Sequence, residues 1–166
     1  MYTYIGPKEF LNLVDKKLIG RKVKSKYDIL DWIISTEQEL NINNEVIATF
    51  IIDLEQNLRI NDRRSEHVVC AGGLPVLSAG EITFKKDTNN LIVSEISNQS
   101  TGYCPDAAKS WSHINKALCN LGIDYPVYFT TIMIFRICKN CKSINLVKDE
   151  YFFCAICDSK LDMNIV

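Results

Sequence analysis

Hydrophobic and polar positions change period several times along the chain. Near the N-terminus, Gly6-Pro7 precedes Lys8-Glu9-Phe10-Leu11-Asn12-Leu13-Val14. Proline suits the first turn of a helix, so the opening segment reads as helical, with Gly20 as its end. Ser25-Lys26-Tyr27-Asp28 has the form of a helix start, an acid standing three residues after a serine. Tyr27, Leu30, Ile33 or Ile34 and Glu37 follow at helical spacing, giving one apolar face suited to packing on a sheet. From Glu45 the pattern turns to strand. Val46 to Leu54 is rich in β-branched and aromatic side chains, and Glu55-Gln56-Asn57 turns it into Leu58-Arg59-Ile60. Asn61-Asp62-Arg63-Arg64 is polar punctuation. Ser65 to Cys70 reads as a further strand, closed by a bend at Ala71-Gly72-Gly73-Leu74-Pro75. Residues 79–84 and 91–96 flank Asp87-Thr88-Asn89-Asn90 as a β-hairpin. After Pro105, Asp106 can cap a helix carrying Ala107, Trp111, Ile114, Leu118 and Leu121, with Gly122 at its stop. Val127 to Ile137 then reads as one long apolar strand. The sequence contains no internal repeat. This order of elements predicts an α+β fold with a mostly antiparallel sheet and flanking helices.

The C-terminal region adds chemistry. Cys138-Lys-Asn-Cys141 and Cys154-Ala-Ile-Cys157 are two Cys-x-x-Cys pairs with twelve residues between them. Each turn sets two thiolates on one edge of a metal, and two turns complete a tetrahedron of sulfur. Residues 143–147, 148–150 and 151–153 between the pairs read as strand, turn and strand, the joining hairpin of a zinc ribbon. All four ligand positions are cysteine, which leaves none for water and argues for structural Zn2+ rather than a catalytic centre. Iron in a rubredoxin-like site is the competing metal. Four thiolates on a divalent ion leave a formal charge of about −2, which Arg136, Lys139 and Lys142 stand close enough to offset. No low-complexity linker precedes Cys138. The expected organisation is therefore an α+β domain over 1–134, with a zinc ribbon over 135–166 packed on it.

Composition narrows the setting. The chain has 166 residues and a formal net charge of −1, so no global basic field draws it to nucleic acid or anionic lipid. Asp149, Glu150, Asp158 and Asp162 balance the local lysines and arginines of the ribbon, which leaves no evident basic face for nucleic acid. Seven cysteines, three of them outside the ribbon (Cys70, Cys104 and Cys119), fit a reducing compartment. No charged stretch followed by an apolar core opens the chain, and no apolar run reaches the ~18 residues of a membrane span. A cytoplasmic protein without a membrane partner is expected.

Two polar stretches border the central strands. One is Arg63-Arg64-Ser65-Glu66-His67 and the other Asn98-Gln99-Ser100-Thr101-Gly102-Tyr103-Cys104-Pro105. Their candidate catalytic groups are His67, Glu66, Glu95, Ser100, Thr101 and Tyr103, provided that they converge in one pocket. His67 could also pair with Cys70 or Cys104, or simply bond a backbone carbonyl. Arg63, Arg64 and Glu66 read as a salt-bridged edge. Small residues from Ala71 to Gly73 and at Ala79-Gly80 would allow close backbone approach.

Arg-Arg-Ser-Glu-His-Val at 63–68, Val-Leu-Ser-Ala-Gly-Glu-Ile at 76–82, Asn-Gln-Ser-Thr-Gly-Tyr-Cys-Pro at 98–105, Phe135-Arg136 and the paired cysteines form a set. Together they resemble an uncharacterised family of bacterial zinc-ribbon proteins, over rather more than half of the chain. The resemblance implies the ribbon and supplies no activity. The central segment is also loosely similar to plant IQ-motif calmodulin-binding proteins, which carry a related His…Ala-Gly-Gly…Ala-Gly…Ser-Gly-His-Tyr-x-Pro pattern. This chain lacks the second histidine and has no IQ motif, so calmodulin binding does not carry over. The leading expectation is a non-enzymatic, zinc-stabilised adaptor that binds another protein within a bacterial intracellular assembly, such as a defence or stress system. The alternatives are an enzyme acting on a nucleotide or modified protein through the His67 and Asn98–Tyr103 region, and a nucleic-acid-binding ribbon.

Overall fold

The computed structural model describes residues 1–87 and 90–163. Among them, no helix is long and apolar enough to cross a membrane. The fold is α+β and centres on a five-stranded antiparallel sheet. Its strands are β1 (Arg21–Val23), β2 (Glu45–Ile52), β3 (Leu58–Asp62), β4 (Ser78–Lys86) and β5 (Leu91–Ile96), in the order β1-β3-β2-β4-β5. The β4–β5 hairpin forms as the pattern predicts, although Thr88 and Asn89 of its turn lie outside the described residues.

Strand periodicity assigns the two faces of this sheet. Val46, Ala48, Phe50 and Ile52 of β2 point to one side with Leu58, Ile60, Ile82 and Phe84, where they form the main core. Two helices cover that side, α1 (Lys26–Ser35) through Ile29, Trp32 and Ile33, and α3 (Ala107–Cys119) through Ile114 and Leu118. Both start as expected. Asp28 Oδ2 accepts the backbone N–H of Ser25 at 2.9 Å in a capping box, and Asp106 accepts from Lys109 N at 2.9 Å.

The opposite face is divided. At one end Ile51 and Ala79 pack beneath α2 (His67–Cys70), with Tyr103 and the N-terminal Tyr4, Phe10 and Val14. At the other end the outward residues are Ile47, Thr49, Glu81, Thr83 and Glu95, and α2 is too short to reach them all. The cross-strand pairs Thr49–Glu81 and Thr83–Glu95 therefore form a polar patch on an otherwise apolar sheet.

Three expectations change. The N-terminal segment is not one helix but two short 3₁₀ turns, Lys8–Leu13 and Lys16–Leu18, followed by β1. Where a strand is expected over 65–70, residues 67–70 form α2; backbone bonds from Cys70 to Glu66 and from Ala71 to His67 close the turn while Val68 and Val69 fill the second core. Only Ile134–Ile137 (β6) of the expected 127–137 strand is regular. The stretch before it spends its polar groups elsewhere. Thr130 brackets Ile96 through backbone and side chain, and Met133 is held by Asn98.

Candidate functional site

Strand β6 pairs with β7 (Ile144–Val147) in a two-stranded sheet of its own. This hairpin encloses the first cysteine pair, and a single bridge from Phe153 to Lys160 encloses the second. The expected hairpin between the pairs is thus replaced by a short hairpin around each. Both knuckles use the same wiring. Cys138 N donates to Ser143 O and Lys142 N to Cys138 O; Cys154 N donates to Ser159 O and Asp158 N to Cys154 O. Lys142 and Asp158 take the left-handed conformation that closes each turn, at φ 63° and 57°.

The result is a four-sulfur centre. The Sγ atoms of Cys138, Cys141, Cys154 and Cys157 all lie within 4.8 Å of one another, with Cys138–Cys157 and Cys141–Cys154 each at 3.6 Å. A tetrahedral ion with metal–sulfur bonds of 2.3 Å needs sulfur–sulfur edges of about 3.8 Å, so this donor set fits a metal. The surroundings favour thiolate at the second pair. Ser143 Oγ at 3.1 Å, helped by the N–H of Ile156, draws the Cys154 thiol down to about 5 against the effect of burial. Ser159 draws Cys157 down to about 7. Cys138 and Cys154 are buried with Val147 and Leu161 in a small core apart from the sheet. The nearby cations are engaged: Lys139 pairs with Asp162 at 2.9 Å, Arg136 Nε donates to Asp162 O at 2.8 Å, and Lys142 Nζ donates to Lys139 O at 2.8 Å.

Asn98 joins this unit to the sheet. Fully buried, it accepts Met133 N at 2.7 Å and donates to Met133 O at 2.9 Å and Pro105 O at 2.8 Å. Beside the clasp lies an apolar cleft of about 680 Å³, walled by Ile132–Phe135, Leu146 and Val147, with Gln99 and Thr101 at one edge and Lys148–Glu150 at another.

The polar patch of the sheet holds the second group of candidates. Glu66, His67, Ser100 and Thr101 line one cavity of about 200 Å³ with Arg63, Arg64 and Glu81. His67 Nε2 lies 3.0 Å from Gly80 O. A carbonyl only accepts, so Nε2 carries the hydrogen and Nδ1 is left as an acceptor. Burial lowers the His67 pKa, outweighing the bond to Gly80, and favours the neutral ring. Gly80 owes its place to close approach, since a Cβ there would sit 1.9 Å from Ser97 O. Ser100 Oγ is buried without a hydrogen-bond partner, so Ser100 and His67 do not form a preassembled nucleophile–base pair.

The other candidates lie apart. Glu95 is exposed and lines a neighbouring cavity of about 180 Å³ that shares Arg63, Glu81 and Gln99 with the first. Tyr103 is committed to the second core, its hydroxyl donating to Leu74 O at 2.7 Å and its ring set edge-on to Tyr4. Neither Cys70 nor Cys104 serves His67. Cys70 faces Arg59 O at 3.9 Å and Cys104 faces Thr101 O at 3.1 Å, and burial raises each thiol to about 12. The expected Arg63–Glu66 edge is replaced by a loose Arg63–Glu81 pair at 3.9 Å. Sequence reasoning missed Thr49 and Glu81, and their signal was a polar residue interrupting an apolar strand pattern. No protein-family model, curated protein or solved structure matches the chain.

Proposed function

We propose that this is a non-enzymatic binding protein whose four-cysteine centre holds structural Zn2+ and whose partner is another protein. The apolar cleft beside the centre carries this reading. Ile132, Ile134 and Leu146 line it and remain 49%, 38% and 40% exposed, a grouping of side chains suited to apolar anchors of a partner segment. Among the described residues β6 and β7 pair only with each other, so an extended segment could add to an edge of this hairpin as well as fill the cleft. The sulfur set offers no ligand position for water, which favours a scaffold over a metal-dependent enzyme. Arg136 and Lys139 are tied to Asp162, and Asp149 and Glu150 stand at the cleft edge, which counts against a phosphate-reading ribbon. The setting proposed for it is an adaptor role in a bacterial cytoplasmic assembly, of the defence or stress kind, by analogy with small accessory proteins and not from the family resemblance, which supplies no activity.

The test is affinity purification from the native host with metal analysis of the same sample. Zinc at one equivalent is expected, with a defined partner lost both on chelation and in Leu146→Glu. That variant should keep its zinc. Undiminished capture by Leu146→Glu would reject the cleft as the docking surface.

A further inference from the structure

We propose that the polar trough on the sheet face, from Arg64 and Ser100 at one end to Glu95 and Thr131 at the other, binds a mononucleotide. Its phosphate would lie at the arginine end, its pentose hydroxyls on the Glu81 and Glu95 carboxylates. The two cavities of about 200 and 180 Å³ share Arg63, Glu81 and Gln99, so together they suit a small ligand of two chemically different parts.

The arginine end is built to accept an anion. No hydrogen bond from the Arg63 or Arg64 guanidinium is seen among the described residues, and the Arg63–Glu81 contact of 3.9 Å is too long to be one. Planar guanidinium forks match phosphate oxygens in pairs. Ser100 supplies the independent sign of a ligand, a hydroxyl on a residue only 1% exposed, unpartnered, in the wall of that same cavity. Polar groups so deeply buried are normally hydrogen-bonded, and a phosphate oxygen would complete this one.

The remainder of the trough is unsuited to a bare anion. Glu66, Glu81 and Glu95 more than balance the two arginines, so a ligand must also bring neutral donors for carboxylates to accept. Pentose hydroxyls and the amino groups of a base do this. His67 Nδ1 is a further acceptor, and Ile47 gives the far end an apolar wall for a base. The trough and the apolar cleft share Gln99 and Thr101, but none of the arginines, glutamates or Ser100 assigned to the nucleotide lines the cleft, so this inference does not depend on the protein-binding reading.

Calorimetric titration of the zinc-loaded full chain with AMP, GMP, CMP and UMP tests it, with ribose 5-phosphate and inorganic phosphate as fragments. At least one nucleotide should saturate the protein and bind about tenfold or more tighter than inorganic phosphate. The exposed double variant R63A/R64A should weaken binding about tenfold, and Ser100→Ala several-fold, with melting temperatures unchanged. Glu95→Gln should erode the margin over inorganic phosphate. Three results would overturn the proposal: no saturable nucleotide binding, phosphate alone binding as well as any nucleotide, or unaltered affinity in R63A/R64A. If Ser100→Ala lowers the melting temperature, the arginine variant decides the matter.

Discussion

The sheet body and the four-cysteine unit bury apolar surface on different scales. The body encloses Phe50, Phe84, Ile60, Leu118 and many others between its strands and two helices, whereas the buried core of the cysteine unit is Cys138, Val147, Cys154 and Leu161. A core of the first kind offsets the entropy of chain ordering without help; one of the second kind does not. The body is thus expected to fold without metal, while the unit after it depends on what the sulfurs hold. Asn98 is the buried side chain that fastens one to the other.

That contrast can be broken most forcefully at the sulfurs. Cys138→Ser, or chelation, should remove most of the metal contribution, about 10 kcal/mol or more in zinc-finger peptides. Proton–nitrogen correlation spectra should lose dispersion for residues after 133 and keep it for the sheet, and collapse of the whole spectrum would show that the body needs the metal. Phe50→Ala strikes the other side. It should cost about 3–5 kcal/mol in the chemical denaturation of the body while the metal content of the cysteine unit stays at the wild-type level. Asn98→Ala probes the join. It strands Met133 and Pro105 backbone groups at a cost of about 2–3 kcal/mol, and should speed proteolysis near residue 133 more than it lowers the body's melting point.

The smallest expected effect is confined to a turn of the body. Burial alone would raise the Asp53 carboxyl, but bonds from Asn57 and from Arg59 Nε at 2.8 Å outweigh it and hold the pKa below its ordinary value. A depressed carboxyl stabilises the fold above its unfolded pKa, near 3.9, and the benefit is lost as pH falls through the folded value. Asp53→Asn should therefore cost about 2 kcal/mol at pH 7, with the gap to wild type closing below about pH 4 in denaturant titrations.

Legibility in the sequence follows the range of the interactions. The cysteine set, the Ser25 and Asp106 caps, and the β4–β5 hairpin depend on neighbours a few residues apart, and spacing alone reveals them. Segment 65–70 misleads because Val68 and Val69 favour strands, and their burial beside Ile51 and Tyr103 overrides that preference. Val127–Ile137 misleads because apolar composition does not disclose that Asn98 holds the backbone of Met133 and that Ile96 O accepts the backbone N–H of Thr130. The polar trough is least visible of all. It exists only once β2 and β4 are in register and Thr49 faces Glu81.

Gln99 and Thr101 border both the apolar cleft and the polar cavity. Two sites with a common wall are thermodynamically linked whenever filling one shifts that wall, and the linkage is reciprocal. A ligand on the sheet face that draws Gln99 and Thr101 inward would change the affinity of the cleft for its occupant, and the occupant would change the ligand's affinity by the same factor. On that reading the turn would act as a transducer, reporting the state of one compartment to the other without any motion of the four sulfurs.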